Sequence, residues 1–141
     1  MKLVSWITES LSRLRQPTPE VWMKAFNLTR DTVVADKVEV ADSGARRRKG
    51  LLGRTGLDAD EGLWIVPCES VHTFGMKVPI DLIYLDRTRR VRKVRSNVGA
   101  WRISGCLSAH SVLELAAGTV VRTQTKPGDR LEFYPVNSQD A

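Results

Sequence analysis

Two short apolar runs, GLWIVP at residues 62–67 and PIDLIYLD at 79–86, constrain this chain more than any other feature. Each is too short for a helix that buries a full face, and each is apolar at successive positions rather than every third or fourth. Such runs read as strands covered on both faces. A sheet with strands of that kind needs further strands to pair with and further layers to cover it. The rest of the sequence offers them. RRVRKV at 89–94 is a hairpin partner for the second run, although the turn Asp86-Arg87-Thr88-Arg89 lacks the glycine of the strongest hairpin signal. Strand-like pieces lie near 23–28 and 32–40, and in the second Val34, Val38 and Val40 are interleaved with Lys37 and Glu39. Pro127-Gly128 makes a turn, after which Leu131 and Phe133 alternate with Glu132 and Tyr134. HSVLELAAG at 110–118 fits either a strand or a helix of one to two turns. Asp42 or Ser43 is a candidate cap for a short helix whose end turns Leu51 and Leu52 inward, with Gly53 and Gly56 as its stop. The expected fold is mainly β, a β-rich α+β domain: two packed sheets or a partly open barrel, sandwich-like, with one or two short helices.

At 141 residues, 42% of them hydrophobic, the chain has the size and the core material of one domain. The two prolines of RQPTPE at 15–20 mark a linker. Residues 1–20 therefore read as an N-terminal amphipathic segment and linker, 21–136 as a single β-rich domain, and 137–141 as a tail. In the first segment, apolar residues at 3, 4, 7, 11 and 14 follow near-helical spacing. That pattern suits a short helix packed on the body, a surface-seeking segment or a frayed end. Glu9 interrupts the apolar stretch that a secretory signal would need. No window approaches the roughly 20 apolar residues of a membrane span, so no membrane partner is expected. Two cysteines in a chain of this length do not make a secreted disulfide framework, and reduced thiols in a cytoplasmic setting are expected.

The chain's net charge of +6 is concentrated in RRRK at 46–49 and in Arg87, Arg89, Arg90, Arg92, Lys93 and Arg95. A surface of this sign favours anionic partners. Neutralising phosphates with these runs would give nonspecific nucleic-acid or polyanion binding that weakens steeply with salt. No zinc-finger, helix-turn-helix or aromatic nucleic-acid motif accompanies them. The parity of the arginines also changes between 89 and 90, so the second run does not present one strand face. Nucleic acid is thus the lesser expectation and a small anionic ligand the greater, bound by a monomer or weak homodimer.

CESVH at 68–72 and CLSAH at 106–110 place the chain's only two cysteines four residues before its only two histidines. Cys68, His72, Cys106 and His110 equal in number the ligands of a tetrahedral site, for which zinc is the fitting ion. On extended strands, residues four apart lie roughly 13 Å from each other, so such a site needs turns, which Pro67 favours in the first segment. A thiol nucleophile is a second reading, with imidazole near sulfur, Asp81 or Glu69 orienting it, and Arg102 or Arg54 taking a carboxylate or phosphate. A Cys68–Cys106 disulfide is a third. The plainest is a pair of small buried hydrophobes.

RRRKGLLGRTGLDADEGLWIVP, VHTFGMKVPIDLIYLD and HSVLELAAGTVVRTQTKPGDRLEF, in that order, resemble the uncharacterised prokaryotic family known as domain of unknown function 192, over roughly residues 30–134. The matching positions are Arg47, Gly50, Leu51 and Leu52, then Gly62 and Leu63, then Pro79, Ile80 and Asp81, then Val112 to Leu115 and Gly128-Asp129. FGMKVP stands where the family usually has a Trp-Met-Lys-Asn-Thr segment. The resemblance implies a mainly β, sandwich-like fold and brings no accepted activity with it.

The resulting expectation is a small-ligand or anion-binding domain with a pocket lined by His72, Met76, Lys77, Asp81, Trp101, Arg102 and His110. Asp81 interrupts an apolar strand, and if buried it needs strong donors, with Lys77, Arg47 or His72 as candidates. The Cys-His metalloprotein or thiol enzyme and the polyanion binder stand as alternatives, and no motif singles out catalysis.

Overall fold

The computed structural model describes residues 21–51, 54 and 56–137. The expectations for residues 1–20, Leu52, Gly53 and the tail beyond 137 lie outside the described residues. In chain order the elements are β1 (Val21–Asn27), β2 (Thr32–Ala41), α1 (Gly44–Lys49), β3 (Glu61–Ile65), β4 (Ser70–His72), β5 (Ile80–Leu85), β6 (Val91–Val98), β7 (Ile103–Gly105), β8 (Ser111–Ala116), α2 (Thr119–Thr123) and β9 (Leu131–Asn137). Seven strands form one sheet in the order β6-β5-β8-β3-β2-β1-β9, and β4 pairs with β7 in a second. The fold is α+β and sandwich-like, with two sheets and two short helices, and it does not close into a barrel.

The two apolar runs become β3 and β5, which flank β8 on either side. HSVLELAAG is thereby resolved as a strand, and its want of alternation follows from burial on both faces. β5 and β6 form the expected antiparallel hairpin. Its glycine-free turn is closed by Asp86, whose Oδ1 accepts the backbone N–H groups of Thr88 at 2.9 Å and Arg90 at 3.0 Å. β2 and β3 are parallel, unlike every other pair in the large sheet. Parallel neighbours cannot be joined by a tight turn, so residues 42–60 cross over and carry α1 with them. Ser43 caps α1, its Oγ accepting the Arg46 N–H at 3.2 Å.

The large sheet is covered on both faces. On one, Ile83, Leu85, Leu113, Leu115, Val34, Val38 and Leu131 pack with Val120 of α2. Trp64 stacks on Phe133 there with ring centroids 3.8 Å apart, and its indole N–H donates to Ser111 Oγ at 2.9 Å. On the other face, Ile80, Leu82, Tyr84, Leu63, Ile65 and Val112 pack with Leu51, and Cys68, Val71, Met76 and Cys106 bring the small sheet against them. Full burial of each large aliphatic side chain contributes about 1.5–3 kcal/mol. No helix among the described residues is long and apolar enough to cross a membrane.

Candidate functional site

Among the described residues, the second face carries one buried charged residue amid its apolar side chains. Glu114 lies in the middle of β8, opposite Leu63 of β3 on one side and Leu82 of β5 on the other. It is 5% exposed, and among the described residues its buried Oε2 has no hydrogen-bond partner. Burial pushes its carboxyl up to about 7, with the Arg54 charge pulling the other way. Arg54 does not satisfy it. That guanidinium lies 2.7 Å from Glu39 and 3.8 Å from Glu61, two acids that already occupy it.

Glu114 forms part of the wall of a cavity of about 390 Å³. The crossover roofs it with Arg47 and Arg48 of α1, followed by Gly50 and Leu51, and the chain leading into β4 closes it with Pro67, Cys68, Ser70, Val71 and His72. Gly44, Ile65 and Met76 complete the lining. Gly50, at φ 49°, ends α1 with its N–H donating to Arg46 O at 3.0 Å, and a Cβ there would stand 4.0 Å from Glu114 Oε2. Arg47 ties the roof down, its Nη1 donating to Asp42 O at 2.7 Å and Val66 O at 3.4 Å. The Cys68 thiol donates to Ser70 O at 3.1 Å. Burial pushes that thiol up, the Ser70 contact and Arg47 oppose the rise, and Glu114 and Glu69 add to it. It is a protonated thiol at neutral pH rather than a ready nucleophile.

Of the residues expected at a site, the cavity collects Cys68, His72 and Met76. Asp81 lies on the opposite face, fully buried, with Oδ1 accepting the Asn97 N–H and Oδ2 the Val120 N–H, each at 2.8 Å. Its donors are therefore backbone groups and not Lys77, Arg47 or His72, because the left-handed Asn97 and the first turn of α2 both aim N–H groups at it. Lys77 and Arg102 are exposed, and Trp101, 69% exposed, stacks on Phe74 at 5.4 Å. His110 lines a different cavity of about 480 Å³ with Asp86, Arg87 and Leu107. Its backbone stitches the layers together, N–H to Leu85 O at 2.7 Å and C=O from Cys68 N–H at 2.8 Å.

The Cys-His quartet is thus divided. Cys68 and His72 face one cavity, His110 another, and the Cys106 thiol lies 3.4 Å from Ser108 Oγ. The first segment runs into the extended β4, whereas Cys106–His110 is a turn that follows β7, closed by the Ala109 N–H donating to Cys106 O at 3.0 Å, so the two segments do not present their side chains to one point. Both cysteines are free, and neither thiol is hydrogen-bonded to an imidazole among the described residues. Among the described residues, the acidic side chains that do converge, within 4.8 Å of one another, are Asp58 and Asp60 in the turn before β3 and Glu61 at its start, and both aspartates are exposed. The basic runs also acquire local roles. RRRK becomes α1 and sets Arg47 and Arg48 at the cavity, while Arg90 donates to Gly128 O at 2.8 Å and Lys93 to Gly105 O at 2.7 Å. Arg89 pairs with Glu132 at 3.0 Å. Glu114 is the site residue that sequence reasoning missed. Its signal was a lone acid inside an apolar run that both neighbouring strands would cover.

An open two-sheet α+β domain, with a crossover helix roofing a buried acid, is the class that this architecture defines. The chain belongs to the family DUF192, described as an uncharacterized ACR, whose profile matches residues 19–133. It is 26% identical over 121 residues to the UPF0127 protein TK1120 of Thermococcus kodakarensis, an alignment covering 82% of this chain and 76% of that one. Two crystal structures share the fold at 25% identity. A protein of unknown function from Novosphingobium aromaticivorans superposes with a TM-score of 0.68, covering 79% of this chain and 83% of its own. A candidate transcription regulator from Sinorhizobium meliloti superposes with a TM-score of 0.69, covering 80% and 92%.

Proposed function

We propose that this domain binds a small organic ligand in the cavity beneath α1, with Arg47 and Arg48 receiving its anionic group. The observation that carries this reading is Glu114, 5% exposed, whose Oε2 has no partner among the described residues and which lines a cavity that has cations at its roof. A buried polar group without a partner costs about 1–3 kcal/mol, and a ligand that supplies the partner recovers that cost. Leu51, Ile65, Val71 and Met76 provide apolar walls, and a few convergent polar groups among such walls are the usual composition of a ligand site. The protonated Cys68 favours binding over thiol chemistry, and the contacts of Arg89, Arg90 and Lys93 favour a structural use of the second basic run over phosphate neutralisation. His72 and Met76 belong to the proposed site; Lys77, Trp101, Arg102 and His110 stand outside its lining.

Thermal-shift screening of the full chain against a library of small polar metabolites tests the reading. A ligand at a hundred times its Kd should stabilise the fold by about 2.7 kcal/mol, and Arg48→Ala should abolish that shift. A library without a single hit, or hits that Arg48→Ala and Glu114→Gln both leave unchanged, would overturn it.

A further inference from the structure

We infer that the ligand is a small zwitterion of the amino-acid type, held with its ammonium group on Glu114 and its carboxylate towards Arg47 and Arg48. The inference rests on the cavity reading above and adds the order of charges within it. The inner polar group is an acid, flanked along its row of the sheet by Leu63 and Leu82, 5% exposed and lining the cavity. The roof groups are guanidinium cations on α1. Arg54, which would otherwise be the internal counter-ion, is held by Glu39 at 2.7 Å.

Charge order then selects among ligand classes. A phosphate or dicarboxylate could satisfy Arg47 and Arg48, but wherever Glu114 is ionised, above about pH 7, its inner end would meet a like-charged carboxyl. A simple amine could satisfy Glu114 and leave the guanidiniums without an anion. A molecule with a cation at one end and an anion at the other answers both, and an ammonium brings three donors to a group that, when ionised, only accepts. A buried carboxylate is stable chiefly when paired, so the ammonium matters more to the complex than any neutral donor. The volume of about 390 Å³ takes an amino acid together with its side chain, which would lie against Ile65, Val71 and Met76.

Isothermal titration calorimetry on the full chain tests the assignment with three probe series: free leucine and methionine, their N-acetyl derivatives, and their carboxamides. The free amino acids should bind, and acetylation or amidation should each weaken binding tenfold or more. Glu114→Gln should weaken the free amino acids at least tenfold and leave the N-acetyl forms unchanged. Arg48→Ala, at an exposed position that the fold does not depend on, should weaken the free acids and not the carboxamides. N-acetyl forms that bind as tightly as free amino acids, or no binding of free amino acids at all, would overturn the zwitterion. The library screen described above distinguishes the two failures, since other hits that depend on Arg48 would leave the cavity reading standing.

Discussion

Asp81 and Glu114 are buried acids on adjacent strands, one register step apart and on opposite faces of the same sheet. Asp81 has each oxygen filled by a backbone N–H at 2.8 Å, and it holds the end of β6 and the first turn of α2 in place. Glu114 has a buried oxygen without a partner among the described residues and lines a cavity. Burial alone therefore does not say what an acid is for. The acid whose partners are supplied by the fold is structural; the one whose partner is missing is available to something else.

Four experiments press on this contrast, from the largest effect to the smallest. Asp81→Ala leaves the buried Val120 N–H and the partly buried Asn97 N–H without their acceptor and should destabilise the domain by about 4 kcal/mol, read from the urea midpoint. A loss below about 1 kcal/mol would make the two acids equivalent. For Glu114 the folded state holds its proton up to about 7, against an ordinary value of 4.5. Between those values the native state binds more protons than the unfolded chain, so this group's contribution to stability falls as pH rises. The full swing is about 3 kcal/mol, complete above pH 7 and absent below 4.5. Glu114→Gln should remove it, so that the variant gains on the wild type between pH 5 and 8; parallel stability curves would show that the carboxyl is already partnered. Gly62→Ala probes how closed the Asp81 face is, since its Cβ would meet Leu115 Cδ2 at 3.0 Å and Glu114 O at 3.3 Å. A loss of about 2 kcal/mol in thermal or urea unfolding is expected. Trp101→Ser, at the exposed tip of the small sheet, should change stability by less than about 0.5 kcal/mol and leave cavity binding intact.

The sequence makes the framework legible because its strongest signals are local. GLWIVP and PIDLIYLD announce β3 and β5, and the alternation of Leu131 and Phe133 with Glu132 and Tyr134 announces β9. The site is less legible because it is assembled across the sheet. The four-residue spacing of Cys68 with His72 and of Cys106 with His110 suggests proximity, but the first segment runs into β4, the second is a turn after β7, and their histidines line different cavities. Asp81 looked functional because its partners are backbone groups 16 and 39 residues away, which side-chain types do not reveal. Glu114 was hidden for a related reason. Whether a carboxyl inside SVLELA meets a donor or a cavity depends on what the crossover between β2 and β3 lays over it.

That crossover has a consequence for how the family can diversify. Because the parallel pairing of β2 with β3 anchors both ends of residues 42–60, the loop can change length or composition while the ladder beneath keeps its register. That freedom ends where the arch meets the acid, since Arg47, Gly50 and Leu51 line the cavity and are also positions on which the family resemblance rests.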